Sequence, residues 1–342
     1  MNRRITSSEI ARLAGVSRAT VSYVLNGKTE SERIPAITAE KIRKIARKYH
    51  YLPNVAARAM KNRRYNSLSL LLGSAPKGVW LPLGLLKNLQ RETAAAGLQL
   101  NLSELPDDKL VAGDFAPSLL QELLADGILV NYIENAPIGL GKTLREYAIP
   151  HIWLNDNRTH NSVSPDDFQG GSKGIELLME YGHRHIGYIT HQGGKHYSIR
   201  ERREGAMHSS RSKSVRLDEW GVDANTNRDE LREQITKILS GSDRPTAFLA
   251  YSSTELQMVY AIGLRLGLRV PKDLSLMSFD VHAPPIGDLI QSSLIIPQNE
   301  IARSAVKMLM DKIVDPHTDI ESVAVPYTKH AAGDTCAPPS SG

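Results

Sequence analysis

The sequence predicts a small all-α head followed by doubly wound α/β lobes built on parallel sheets. Three observations carry this. The N-terminal stretch is basic and holds short, closely joined helical patterns. From residue 67 onward, apolar strand-like runs alternate with amphipathic helical stretches. Cys336 is the single cysteine among 342 residues, which excludes a disulfide framework and any cysteine-rich metal site. A chain of this length suits two or three domains.

The head comes first. "TSSE", Thr6 to Glu9, reads as a capping box ahead of the apolar positions Ile10, Leu13 and Ala14. Gly15 permits a sharp turn, and Ser17 can cap a second helix whose Val21, Val24 and Leu25 share one face. Asn26-Gly27 ends it. Two short helices joined so closely form a helix-turn-helix, in which the second helix enters the major groove N-terminus first. Its outward side then comprises Arg18, Ala19, Ser22 and Tyr23. Arg18 can donate two bonds to a guanine edge, Ala19 offers a methyl to thymine, and Tyr23 can stack or hydrogen-bond. The hydroxyls of Thr6, Ser17, Thr20 and Ser22 suit phosphate oxygens, which position without specifying. A third helix, "TAEKIRKIARKYHY", is expected to start at the cap Thr38 and to turn Ile42, Ile45, Ala46 and Tyr49 inward. After Pro53, Asn54 can cap a segment from Val55 to Met60 that is too short to hold as a helix alone.

A plain two-helix corner would give the same apolar pattern, so charge decides. Residues 1–65 carry 15 Lys and Arg against 4 Asp and Glu, a net +11, while the remainder carries 27 against 33, a net −6. A basic head on an acidic body implies that the head meets a polyanion and the body does not. There is no run of about 18 apolar residues to span a membrane. The N-terminus lacks the apolar core of a signal peptide, so a cytoplasmic location is expected.

In the body, "SLSLLL", "LQLNLSEL", "GILVNYI", "HIWLN", "HIGYITH", "TAFLAYS" and "LSLMSFD" read as strands, with helices expected near 85–96, 116–125, 170–181, 228–239, 254–266 and 299–313. Ligands of such sheets bind beyond the carboxyl ends of the strands. "APIGLGKT" imitates a phosphate loop, but Ala136 stands where glycine is needed and Pro137 removes an amide. His183 and His185 sit at a helix–strand junction, where a structural role outweighs a catalytic one. Neither motif supports a nucleotide hydrolase or a hydrolytic triad, and no enzymatic activity, cofactor or metal is expected.

In order along most of the chain, "EIARLAGVSRATVSYVLNG", "YLPNVAARAM", "LLMEYGHRHIGYI", "GLRVPKDLSLMSFD" and "IIPQNE" resemble the lactose-repressor (LacI/GalR) family of bacterial transcription regulators. The resemblance implies a helix-turn-helix DNA-binding domain over 1–51, a hinge helix and linker over 52–66, and a two-lobed, periplasmic-binding-protein-like effector-binding and dimerisation domain over 67–342. It implies chain crossovers near 160, 292 and 322, with the ligand between the lobes. It also implies minor-groove contacts from Asn54, Ala57, Arg58 and Met60, with Met60 as the wedge where leucine is usual.

For the effector, the resemblance points to Asp280 at the end of "LSLMSFD", Arg202 with Ser198, Asp166 or Asp167 in "SPDDFQGG", and Gln298. Such a set would present acceptors and a bidentate donor to a hydroxyl-rich ligand. Two departures stand out: Ser252-Ser253 replace the family's Asn-Asp pair, and Trp80 is the only ring in "VWLPLG". "MHSSRSKSVRLDEW" is more polar than the family's helix and loop at that place, and the tail "HAAGDTCAPPSSG" offers no heptads for a tetramer. The expectation is a homodimeric repressor of double-stranded operator DNA, controlled by a carbohydrate or related metabolite. The alternative is a sugar-binding module without gene control, which leaves the basic head unused.

Overall fold

The structure, a computed structural model, describes residues 5–27, 29–52, 64–73, 81–107, 110, 120, 122–132, 136–190, 194–221 and 227–339. The hinge residues Asn54, Ala57, Arg58 and Met60, and Trp80, lie outside them. The chain divides into two units, Met1–Tyr65 and Asn66–Gly342.

The first unit is three helices, α1 (Ser7–Ala14), α2 (Arg18–Leu25) and α3 (Ala36–Lys48). The Thr6–Glu9 capping box starts α1, and Gly15, at φ 73°, turns the chain into α2 through the left-handed region that glycine tolerates. Ile10, Ala11, Ala14, Val21, Val24, Ala39, Ile42 and Ala46 form one buried cluster. Three details differ from expectation. Leu13 is exposed and Ala11 takes its place in the core. Helix α3 begins at Ala36 with Pro35 at the cap position, so Thr38 falls inside its first turn. Tyr49 is exposed, because His50 at φ 49° bends the chain and brings Tyr51 back against the cluster instead.

The second unit holds two six-stranded sheets. The first contains β1 (Ser67–Leu72), β2 (Gln99–Glu104), β3 (Gly127–Asn131), β4 (His151–Leu154), β5 (Ser162–Pro165) and β13 (Val323–Val325), in the order β13-β5-β4-β3-β1-β2. All its pairings are parallel. The second contains β6 (His185–Ile189), β7 (Arg216–Trp220), β8 (Ala247–Ala250), β9 (Ser275–Asp280), β12 (Ser292–Ile295) and β14 (Lys329–Ala331), in the order β14-β12-β9-β8-β6-β7. Here only β12–β14 is antiparallel. A short hairpin, β10 (Pro285–Ile286) and β11 (Leu289–Ile290), precedes β12. Strands β1, β3, β4 and β8 are buried at every position, as expected of sheets covered by helices on both faces.

The helices are α4 (Leu83–Ala95), α5 (Leu140–Glu146), α6 (Asp167–Glu180), α7 (Tyr197–Ser212), α8 (Arg228–Leu239), α9 (Ser253–Arg265) and α10 (Gln298–Val314). The chain passes between lobes at Asp166, at Ile296–Pro297 and at Pro326–Thr328, each a few residues after the expected crossover. Helix α10 then packs on α4, β3 and β4 of the first lobe.

Helix α7 and strand β7 were not expected from sequence. The buried positions of α7 are Ser198, Arg202, Gly205, Ala206, Ser209 and Ser210, so no large apolar stripe marks it. The C-terminal segment packs on the second sheet: Thr335 is fully buried, its hydroxyl donates to the Leu276 carbonyl at 2.6 Å, and Ser275 Oγ donates to the Ala337 carbonyl at 2.9 Å.

Candidate functional site

Two places concentrate the sequence-predicted residues, one in each unit. In the first unit, Val21 and Val24 of α2 are buried, Arg18 and Ala19 are exposed, and Ser22 and Tyr23 are half-buried. The hydroxyls expected at phosphates are already engaged. Ser17 Oγ caps α2 by accepting from the Thr20 amide at 3.0 Å and shares a 2.9 Å bond with Thr20 Oγ1. Thr6 Oγ1 accepts from the Glu9 amide at 3.2 Å and donates to Glu9 Oε2 at 2.8 Å. These hydroxyls set where the helices begin, leaving the α2 N-terminal turn, with its partial positive charge, facing outward beside Arg18.

In the second unit a cavity of about 510 Å³ opens at the carboxyl ends of the strands of both lobes. The first lobe contributes Pro82, Asn155 and Pro165; the second contributes Asp167, Ser198, Arg202, Ser253, Phe279 and Asp280, among others. A hollow of similar size on the outer faces of α6 and α7, around Phe168 and His208, lies away from the strand ends.

Asp166 and Asp167 separate by role. Asp166 Oδ1 accepts from the Gln169 amide at 2.9 Å and caps α6, while Asp167 is buried in the cavity wall. Arg202 Nε donates to Asp167 Oδ1 at 2.7 Å. Burial works against the charge of Arg202, but Asp167, with Tyr327 and Tyr251, together outweigh it and hold the guanidinium well above its ordinary range. Asp280 Oδ1 accepts from the Val281 amide at 2.7 Å. Ser252 Oγ accepts from the Thr254 amide at 3.2 Å and donates to Glu255, so it caps α9; Ser252, Ser253 and Thr254 all line the cavity.

Ser198 belongs to a directed chain. Burial lowers the His196 pKa and favours the neutral ring. Its Nε2 faces the Asn155 carbonyl at 3.0 Å and so must carry the proton. Nδ1 is then an acceptor for Ser198 Oγ at 2.7 Å, which in turn accepts from the Tyr251 hydroxyl at 2.8 Å.

Gln298 lies outside this cavity. It lines a smaller space of about 230 Å³ with Gly84 and Asn88, because the first turn of α10 sits against α4. A Cβ on Gly84 would come within 2.1 Å of Gln298 Oε1. Sequence reasoning missed Asn155, His196, Tyr251 and Tyr327. Asn155 and Tyr251 directly follow β4 and β8, so the strand-end rule could have found them; Tyr327 returns from the last crossover and carries no local signal.

The rival readings find no footing in the geometry. His183 is buried with Nδ1 2.9 Å from Thr246 Oγ1, and His185 Nε2 lies 2.8 Å from Asp218 Oδ2. Lys142 of the phosphate-loop lookalike points to Glu146 on the surface. Among the described residues no cluster of His, Cys, Asp and Glu is placed to hold a metal ion, and no helix is long and apolar enough to cross a membrane.

Comparison with known proteins matches two regions. Residues 6–54 match the family model for bacterial regulatory proteins of the lacI family, and residues 175–336 match a periplasmic binding protein-like domain. The chain thus carries a lacI-family DNA-binding region ahead of a periplasmic binding protein-like domain. Relatives include the HTH-type transcriptional repressor PurR of Pectobacterium atrosepticum, 26% identical with 94% of each chain covered. The ribose operon repressor of Haemophilus influenzae is also 26% identical, over 94% of this chain and 96% of that one.

Among solved structures, the lac repressor dimer bound to operator and the anti-inducer ONPF matches with a TM-score of 0.74 at 18% identity, over 98% of this chain and all of that one. The CelR–cellobiose complex matches at 0.60 and 20% identity, covering 97% of this chain and all of the other. These likenesses show the fold of the two lobes and of the helix-turn-helix head.

Proposed function

We propose that this chain is a homodimeric repressor that places two α2 helices in successive major grooves of a pseudo-palindromic operator. Arg18, Ala19, Ser22 and Tyr23 read bases, and the segment with Asn54, Ala57, Arg58 and Met60 orders on the minor groove at the centre of the site. A small polar ligand, a carbohydrate or related metabolite, binds in the 510 Å³ cavity and shifts the balance between operator-bound and free protein. Coupling of about 1–3 kcal/mol changes operator affinity roughly 5- to 150-fold. The observation that carries this reading is the convergence of Asp167, Ser198, Arg202, Ser253 and Asp280 on one cavity, in a chain that also presents a basic helix-turn-helix. The relatives named as repressors, and the operator-bound and cellobiose-bound neighbours, support it.

The test is to select bound sequences from a random DNA pool, then titrate the selected site with and without a panel of sugars and nucleosides. A palindromic site whose affinity responds to a panel member supports the proposal. Absence of any salt-dependent DNA binding supports instead a sugar-binding module without gene control.

A further inference from the structure

We infer that helix α3 carries a second DNA-binding face, a lysine stripe that takes the phosphate backbone of a second, separate duplex while α2 reads its own site. This rests on α2 meeting operator DNA, as proposed above. Much of the charge of the head lies away from the reading helix. Helix α2 holds one charged residue, Arg18, whereas α3 holds Lys41, Arg43, Lys44, Arg47 and Lys48 against Glu40 alone. All five of these bases are exposed.

Helical geometry gathers three of them on one line. Lys41, Lys44 and Lys48 stand at i, i+3 and i+7, within about 60° of one another around the axis and over roughly 10 Å along it. The line is opposite Ala39, Ile42 and Ala46, which bury α3 in the core of the head. Each of the three helices packs on the other two around that core, so the outward faces of α2 and α3 point to different sides of the head. A duplex that takes α2 in its major groove therefore leaves the α3 stripe facing away from that groove.

On α5, α8 and α10 an exposed base takes an acid one turn away: Lys142 with Glu146, Arg232 with Asp229, and Lys307 with Asp311. On α3 the one acid, Glu40, is taken by Arg47. Among the described residues Lys41, Lys44 and Lys48 form no ion pair, and Lys48 meets only the Tyr49 ring, at 5.6 Å. Like charges three and four residues apart repel, and a line of phosphates removes that repulsion. The stripe is not shaped for a protein. Ile37, exposed one turn ahead on the same line, is its only apolar side chain, whereas protein interfaces rest on buried anchors and are depleted in lysine. A phosphate backbone needs neither pocket nor anchor, being a regular line of charge that lysines neutralise without reading sequence.

The experiment saturates the full chain with its selected operator carrying a donor dye, then adds a duplex of unrelated sequence carrying an acceptor. Energy transfer should appear, and affinity for the second duplex should fall about 40-fold between roughly 50 and 200 mM salt, as three neutralised phosphates require. The triple variant Lys41→Gln, Lys44→Gln, Lys48→Gln should lose the transfer yet keep the operator preference and its salt slope. The triple variant Lys41→Arg, Lys44→Arg, Lys48→Arg should retain the transfer, which separates charge from folding. Absence of transfer with the operator-saturated parent overturns the inference and leaves the repressor reading standing. A glutamine variant whose operator salt slope shrinks by about 2–3 also overturns it, because the stripe then lies on the same duplex as α2. Polyglutamate that displaces the second duplex at a lower concentration of charge overturns it in favour of an acidic protein. If the parent selects no DNA sequence at all, the reading of α2 fails, and this inference with it.

Discussion

Gly171 of α6 and Gly205 of α7 are where these two helices cross in backbone contact. A Cβ on Gly171 would lie 2.0 Å from the Arg202 carbonyl oxygen, and one on Gly205 would lie 1.9 Å from that of Phe168. The crossing sets the site, because α6 begins with Asp167 and α7 carries Ser198 and Arg202. The 2.7 Å bond between Asp167 and Arg202 depends on this approach.

Gly205→Ala should therefore be costly: two backbones must part, and overpacking of this kind costs about 1–3 kcal/mol. Gly263→Ala in α9 is the control, since its Cβ would meet nothing nearer than 3.5 Å and alanine favours the helix by up to about 1 kcal/mol. Thermal unfolding of the two variants should move Tm in opposite directions. Equal shifts would remove the special role of the crossing.

The two neighbouring residues Ser17 and Arg18 should separate folding from reading. Ser17→Ala removes the α2 cap and should lower the stability of the head by about 1 kcal/mol while leaving the salt dependence of DNA binding unchanged. Arg18→Ala, at an exposed position, should leave Tm unchanged and relax preference at one base position by about 1–3 kcal/mol. Binding-site selection with each variant distinguishes the two, and a sequence-independent loss of DNA affinity in the folded Ser17→Ala protein would return its hydroxyl to a phosphate.

Asp280 and Ser252 make a second such pair in the body. Asp280→Asn should weaken whichever ligand the panel identifies, since the side chain faces the cavity. Ser252→Ala should lower Tm through the lost α9 cap and change ligand affinity little. Calorimetry against the identified ligand checks both, and a comparable affinity loss in Ser252→Ala would make its hydroxyl a ligand contact.

Half of the fourteen described strands were legible because parallel sheets covered on both faces write themselves as continuous apolar runs; "SLSLLL" is β1 residue for residue. Helix α7 was not, because its packing relies on Gly205, Ala206, Ser209 and Ser210 rather than on an apolar stripe. The site was legible where a strand ends in a charged residue, as at Asp280. It was illegible where the outcome depends on partners far along the chain. Only the fold separates capping Asp166 from buried Asp167, and only the fold brings the returning Tyr327 to Asp167 and Arg202. Gln298 lines the neighbouring smaller space for a local reason, the contact of α10 with Gly84.

Stability should fall on mild acidification, and His183 gives the reason. Burial lowers its pKa to about 4, as it does for His151. In the unfolded chain both titrate near 6.5. Between those values the unfolded state binds more protons than the folded one, so acid favours unfolding. Stability from neutral His183 is complete above about pH 6.5 and is lost progressively as pH falls toward 4. His183→Asn should lower Tm at pH 7 by removing the bond to Thr246 Oγ1, yet flatten the fall of Tm between pH 6.5 and 4 relative to the parent chain. Thermal unfolding of both proteins across that range checks it. Parallel Tm profiles would show that His183 is protonated in the folded chain as readily as in the unfolded one.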